Sequence, residues 1–174
     1  MAQNGLVAKI GNLYERYTHV LDYLKGPVLL LIRLYWGWQF FLAGKGKLGN
    51  LDQTAEFFAE LHIPMPKINA VMAASTECFG GLLLLLGLGS RLVGVPLTIT
   101  MTVALLTAHR EEVKNMFENP DGLLTADPFL FLLASVIVLV CGPGYLSLDA
   151  LIKRLFKKSE PEALSNPVSA EATR

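Results

Sequence analysis

Charge is scarce in this chain. Only 17% of its 174 residues are Asp, Glu, Lys or Arg, against about 25% in an ordinary soluble domain. Fifteen basic residues balance fifteen acidic ones. That leaves no basic face of the kind nucleic acid recognition needs, so no nucleic acid partner is expected. Cysteine is scarcer still. Cys78 and Cys141 stand far apart, with no C-x-x-C and no Cys/His cluster, which excludes a zinc site or thioredoxin-type dithiol read from spacing. His19, His62 and His109 form no pair at helical spacing, so no metal is predicted, and His109 is read as a solvated loop residue. No continuous apolar run precedes Pro27 and residue 2 is Ala; neither a cleavable signal nor a lipid anchor is expected. No haem, flavin or iron–sulfur motif is recognisable.

What the chain does have is hydrocarbon. It is 52% hydrophobic, with a mean hydropathy of +0.44. Crossing a bilayer takes about 20 mostly apolar residues in a helix, and four runs approach this: 27–43, 68–88, 92–108 and 128–145. Stretches such as "GGLLLLLGLG" and "SVIVLVCG" lack the polar face that a surface helix of a soluble bundle repeats every 3.6 residues. The reading is an all-α polytopic membrane protein, a four-transmembrane-helix bundle with short interfacial helices. The membrane domain covers 27–150. Residues 1–26 read as a separate amphipathic helix ahead of it, and 151–174 as a tail that is first basic and then disordered.

The connections carry pattern too. Leu51, Ala55, Phe58 and Leu61 fall on one helical stripe, and Pro64 and Pro66 follow, so a short helix lying at the interface is expected there. A weaker one is expected over "HREEVKNMFENPDGL", closed by Asn119 to Gly122. With four spans both termini share a side. That side holds Lys9, Arg16, Lys25, Arg91, Lys153, Arg154, Lys157 and Lys158, against Lys45, Lys47, Lys67, Arg110 and Lys114 opposite. The excess predicts cytoplasmic termini.

Polar residues inside the apolar runs are the candidate site, because an intramembrane charge costs about 2.5–3.5 kcal/mol on insertion scales. Glu77 has Ala73, Ala74, Gly80 and Gly81 at i±3 and i±4, a small-residue surface where another helix packs. Gly37 and Gly44 extend a similar seam from Arg33. At 1.5 Å rise per residue, Gln39, Glu77 and Thr102 share a layer about 16–18 Å from the cytoplasmic ends, with Arg33 at about 9 Å. Arg33 then pairs with Glu77 directly, joins it through Gln39 or water, or snorkels to the interface. Cys78 lies about 15 Å deeper than Cys141, so no disulfide joins them.

These features resemble the DoxX family of small bacterial membrane proteins. The segment "RLYWGWQFFLAGKGKL" is similar to the family's R-x3-G-x2-F-x3-G-x2-K arrangement, and "ECFGGLLLLLGLGSRL" to its E-x2-G-G-L-x-L-L-x-G-x3-R block. Arg33, Gly37, Gly44, Lys47, Glu77, Gly80, Gly81, Gly87 and Arg91 match these patterns. One departure is His62, where many members carry Gly. The resemblance implies a four-span bundle in the bacterial inner membrane, linked to membrane redox systems of thiol or thiosulfate oxidation. It implies no agreed catalytic residue.

The leading expectation is therefore an accessory or quinone-interacting subunit of a membrane redox system. Glu77 would exchange a proton or hydrogen bond with a quinone carbonyl. Arg33 would stabilise charge on that oxygen, and Trp36, Trp38 and Phe40 would wall the ring. The partners would be the lipid bilayer and a membrane redox protein. The alternatives are a non-enzymatic assembly factor or structural subunit, in which the charges and glycines specify packing, and a small transporter.

Overall fold

The computed structural model describes residues 2–158, with side chains described over 11–156. The tail expected to be disordered falls outside the described residues. Eight helices follow in order among those described: α1 (Ala2–Gly49), α2 (Leu51–Glu60), α3 (Pro66–Leu86), α4 (Ser90–Ala108), α5 (Arg110–Lys114), α6 (Pro120–Thr125), α7 (Asp127–Cys141) and α8 (Leu148–Lys158). The protein is an all-α membrane protein. Three helical segments are long and apolar enough to cross a bilayer, Gly11–Gly49, Pro66–Leu86 and Ser90–Ala108. The fourth apolar helix, α7, has 15 residues and covers about 22 Å.

α1 pairs along α3, α4 pairs along α7, and α2 leans on α3. The core where the pairs meet takes a residue from each long helix: Phe40 from α1, Leu84 from α3, Leu97 and Met101 from α4, Val138 from α7. Outward faces carry Leu31, Leu34, Ile68, Phe79, Leu92, Ile99, Leu133 and Val140. In lipid the hydrophobic effect draws no helix to another, so close packing and polar contacts must supply the association. Glycines make that packing close. A Cβ on Gly37 would come within 2.7 Å of the Leu85 backbone nitrogen and one on Gly81 within 2.5 Å of that of Phe41, while one on Gly44 would collide with the Cys78 backbone. Gly80 instead makes room for the Leu97 side chain. The four glycines read from sequence as packing residues all sit at such contacts.

The boundary expected at Pro27 does not exist as a break. α1 runs through it with Pro27 inside. Proline lacks the N–H that would bond the carbonyl four residues back, here Tyr23. The Tyr145 hydroxyl donates to that carbonyl at 2.9 Å, and Gly26 leaves the space its ring occupies. The first span also continues past residue 43 to Gly49. α2 forms where the periodicity placed it, with Ala55 buried. The second outer segment differs from expectation. Its helix stops at Lys114, and Pro120 opens a separate helix, α6, rather than closing its predecessor, because proline's fixed φ suits a helix's first turn.

A tight turn joins α3 to α4 at the end opposite α2. Gly87 closes α3 with φ +71°, and Leu88 N–H reaches back to Leu83 O at 3.0 Å, the Schellman closure that glycine permits. Asp149, from the first turn of α8, accepts hydrogen bonds from Gly89 N–H at 2.9 Å and Ser90 N–H at 3.4 Å. Its carboxylate thereby satisfies donors that the start of α4 leaves open.

Candidate functional site

One face of α1 carries the site. Arg33, Gly37, Phe40, Gly44 and Lys47 recur at alternating spacings of four and three residues, which keeps them on one stripe. Two buried charges are compensated along it, at different levels.

Arg33 is 1% exposed. Its Nη1 donates to Pro143 O, and its Nη2 to Leu146 O at 2.8 Å. Both carbonyls belong to the segment following α7. The guanidinium passes across Gly87, where a Cβ would sit 2.7 Å from Nη1. Its Nε is buried without a partner among the described residues. The planar fork suits this task because it aims separate donors at separate oxygens. Arg33 thus ties α1 to the end of α7 over the turn that closes α3.

Glu77 is equally buried. Lys47 Nζ donates to Glu77 Oε1 at 2.5 Å and Oε2 at 2.7 Å. The lysine side chain remains 37% exposed, so a solvated or interfacial cation neutralises a carboxylate held inside the bundle. The inward orientation expected for Glu77 holds. The direct Arg33–Glu77 pair does not form. Arg33 engages carbonyls toward one end of the bundle, and Glu77 has a nearer cation. Lys47 counted as a loop charge in the sequence reading. Its place on the glycine stripe, three residues after Gly44, was the signal available.

The shared layer with Gln39 and Thr102 does not assemble either. Thr102 Oγ1 donates to Thr98 O on its own helix at 2.8 Å. Gln39 is half-buried, and no side-chain hydrogen bond involves it among the described residues. Depth along a helix says nothing of azimuth, and azimuth decides which side chains meet. A polar contact that sequence reasoning missed lies on the other helix pair. Thr98 Oγ1 and the buried Ser135 Oγ are 3.1 Å apart across α4 and α7. A serine within "LLASVIVLVC" gives no periodic cue.

The three aromatic candidates also separate. Trp36 stands edge-on to Phe131 at 5.0 Å between centroids, and Phe40 does the same at 4.6 Å. Phe40 is fully buried. Trp38 faces outward, half exposed, beside Phe41. Positions two apart on a helix point in nearly opposite directions, so these three do not wall one ring. His109 lies at the α4–α5 junction with Nδ1 3.6 Å from Glu112 Oε1. Both cysteines are free thiols, Cys78 buried and Cys141 exposed. Glu111 is fully exposed, and the hydrogen bond from Lys114 holds its carboxyl below the usual glutamate range.

The fold and this stripe define a class, a small helical membrane protein whose first two long helices are locked through glycines and an ion pair to a buried carboxylate. The DoxX family model matches residues 28–110, which contain the whole stripe and the Glu77–Arg91 block, and the chain belongs to the DoxX family. It is 32% identical over 123 residues to the Bacillus subtilis protein named "Putative oxidoreductase CatD", covering 71% of this chain and 85% of that one. It is 30% identical over 135 residues to an uncharacterized Haemophilus influenzae protein, covering 75% and 87%. The Escherichia coli inner membrane protein YphA is 29% identical over 125 residues, covering 71% and 89%. No solved structure matches.

Proposed function

We propose that this protein is an accessory membrane subunit of a redox system, contributing a rigid scaffold rather than a reaction centre of its own. The observation that carries this reading is that the buried charges are spent within the fold. Arg33 is committed to two carbonyls and Glu77 to Lys47, while Trp36 and Phe40 pack on Phe131. The redox association follows the name of the Bacillus subtilis relative. On this reading the protein sits in the bacterial inner membrane with both termini cytoplasmic, and its partner is a membrane redox protein.

A second reading keeps the quinone. Lys47 is partly exposed, so a quinone carbonyl arriving from the bilayer would accept a hydrogen bond from its ammonium beside Glu77.

One experiment separates them. The protein is placed in nanodiscs with a titrated quinone, as wild type and as Lys47→Gln/Glu77→Gln, a double variant that removes both charges together and keeps similar shape. The same variant is tested for restoring quinone-dependent respiration to membranes lacking the protein. The scaffold reading expects no saturable quinone binding and near-complete restoration by the folded double variant. Saturable binding that disappears in that variant, together with failed restoration, would replace it with the quinone reading.

A further inference from the structure

At the Arg33 end, a cavity of about 330 Å³ opens between the starts of α4 and α8 and the end of α7. Its lining includes Arg91, Lys153, Asp149, Gly142, Cys141 and Leu92. The Asp149 carboxylate is already engaged by Gly89 and Ser90. The two cations are not. Neither the Arg91 nor the Lys153 side chain makes a hydrogen bond or ion pair among the described residues. Arg91 is nonetheless placed rather than adrift. Its Nε lies 3.0 Å from where a Gly142 Cβ would stand, so the absent side chain is what lets the guanidinium lie over the end of α7.

The level of this cavity is set by its helices. α4 is long and apolar enough to cross a bilayer and begins at Ser90, so Arg91 stands where such a helix meets the headgroups. α8 is amphipathic. Leu148, Leu151, Ile152 and Phe156 share one exposed apolar face, with Lys153 and Arg154 off it. A basic helix of that kind lies in the interface plane. Leu92 is 81% exposed at the cavity lip, and Val95 and Ile99 continue its outward face along α4. A cationic recess thus opens directly onto an apolar track.

We propose that this cavity binds the phosphate of an anionic phospholipid, with Arg91 and Lys153 as its ligands and the Leu92–Val95–Ile99 face receiving an acyl chain. Arg91 supplies the planar fork that matches phosphate oxygens, and Lys153 a second charge on a flexible stem. Basic recesses between membrane helices are suited to such headgroups. The bound lipid would bridge α4, α7 and α8, at a corner where Asp149 already joins α8 to the start of α4.

The test is native mass spectrometry of the full-length protein released from nanodiscs of phosphatidylglycerol or phosphatidylcholine, with inorganic phosphate as a separate arm. Lys153 lies on an exposed helical face, so Lys153→Gln leaves the fold intact, which gel filtration checks. Wild type is expected to retain phosphatidylglycerol over phosphatidylcholine. Lys153→Gln should retain about fivefold less, Arg91→Gln/Lys153→Gln should fall to the phosphatidylcholine level, and Arg154→Gln should stay near wild type. Equal loss in Arg154→Gln would overturn the site in favour of diffuse surface charge. Unchanged retention in the double variant would overturn it outright. So would binding of inorganic phosphate without any preference between the lipids, which would make the ligand a free anion.

Discussion

Arg33 and Glu77 are buried to the same degree, 1% exposed each, and are compensated by opposite means. Arg33 keeps its charge among neutral carbonyls of a loop. Glu77 has a full countercharge on the neighbouring helix, and that countercharge reaches the surface. The first arrangement joins distant parts of the chain, residues 33 and 143–146. The second pins two helices already in contact along a glycine seam. A loop carbonyl accepts from any donor that reaches it, so the Arg33 end depends on geometry. A buried carboxylate needs a cation, so the Glu77 end depends on charge.

The largest expected effect comes from breaking the charge pair on one side. Lys47→Met leaves Glu77 buried without a countercharge and should cost about 3–5 kcal/mol. Lys47→Met/Glu77→Met should recover most of it, because a matched apolar replacement is often neutral. Reversible unfolding in mixed detergent reads both. A double variant no better than the single would show that Glu77 does not depend on Lys47.

Arg33→Met comes next. It removes two charge-assisted hydrogen bonds and should cost about 3 kcal/mol. Arg33→Lys should rescue less than half of that, since an ammonium is a point charge and not a fork. Full rescue by lysine would make the Arg33 end a charge site like its counterpart, and the contrast would fail.

Tyr145→Phe probes the same end more gently. It returns the Tyr23 carbonyl, freed by Pro27, to an unpaired state at a cost of about 1 kcal/mol. Amide exchange over residues 24–30 should quicken while exchange around Glu77 stays as it was. Uniform change across both regions would argue against separate ends.

The smallest effect has the opposite sign. His62 holds φ +57° between α2 and α3, a left-handed backbone that costs a side-chain-bearing residue about 1–2 kcal/mol. His62→Gly should therefore stabilise the α2–α3 connection, by up to about 1 kcal/mol once the chain entropy of glycine is counted. A lower melting temperature would mean that the imidazole itself contributes there.

Much of this was legible in the residues. Hydropathy placed the spans to within a few residues at α3 and α4. The glycines at 37, 44, 80 and 81 announced close packing through their spacing, and the small neighbours of Glu77 announced its inward face. The end of α1 was misplaced because Lys45 and Lys47 read as a loop. A lysine with a long stem remains compatible with a helix when it has a carboxylate to meet. The break at Pro27 was misjudged for a related reason. Proline's cost is local, while its remedy, the Tyr145 hydroxyl, reaches the Tyr23 carbonyl from 122 residues further along the chain.

The sequence by itself determined that the chain is a helical membrane protein, where α3 and α4 run, and which faces around Arg33 and Glu77 carry glycine and small residues. Periodicity and apolar length are properties of a single segment, so they survive without knowledge of the fold. Only the tertiary structure decided which charge meets which partner. That choice depends on helix azimuth and on loops that return from far along the chain, and no local pattern encodes either.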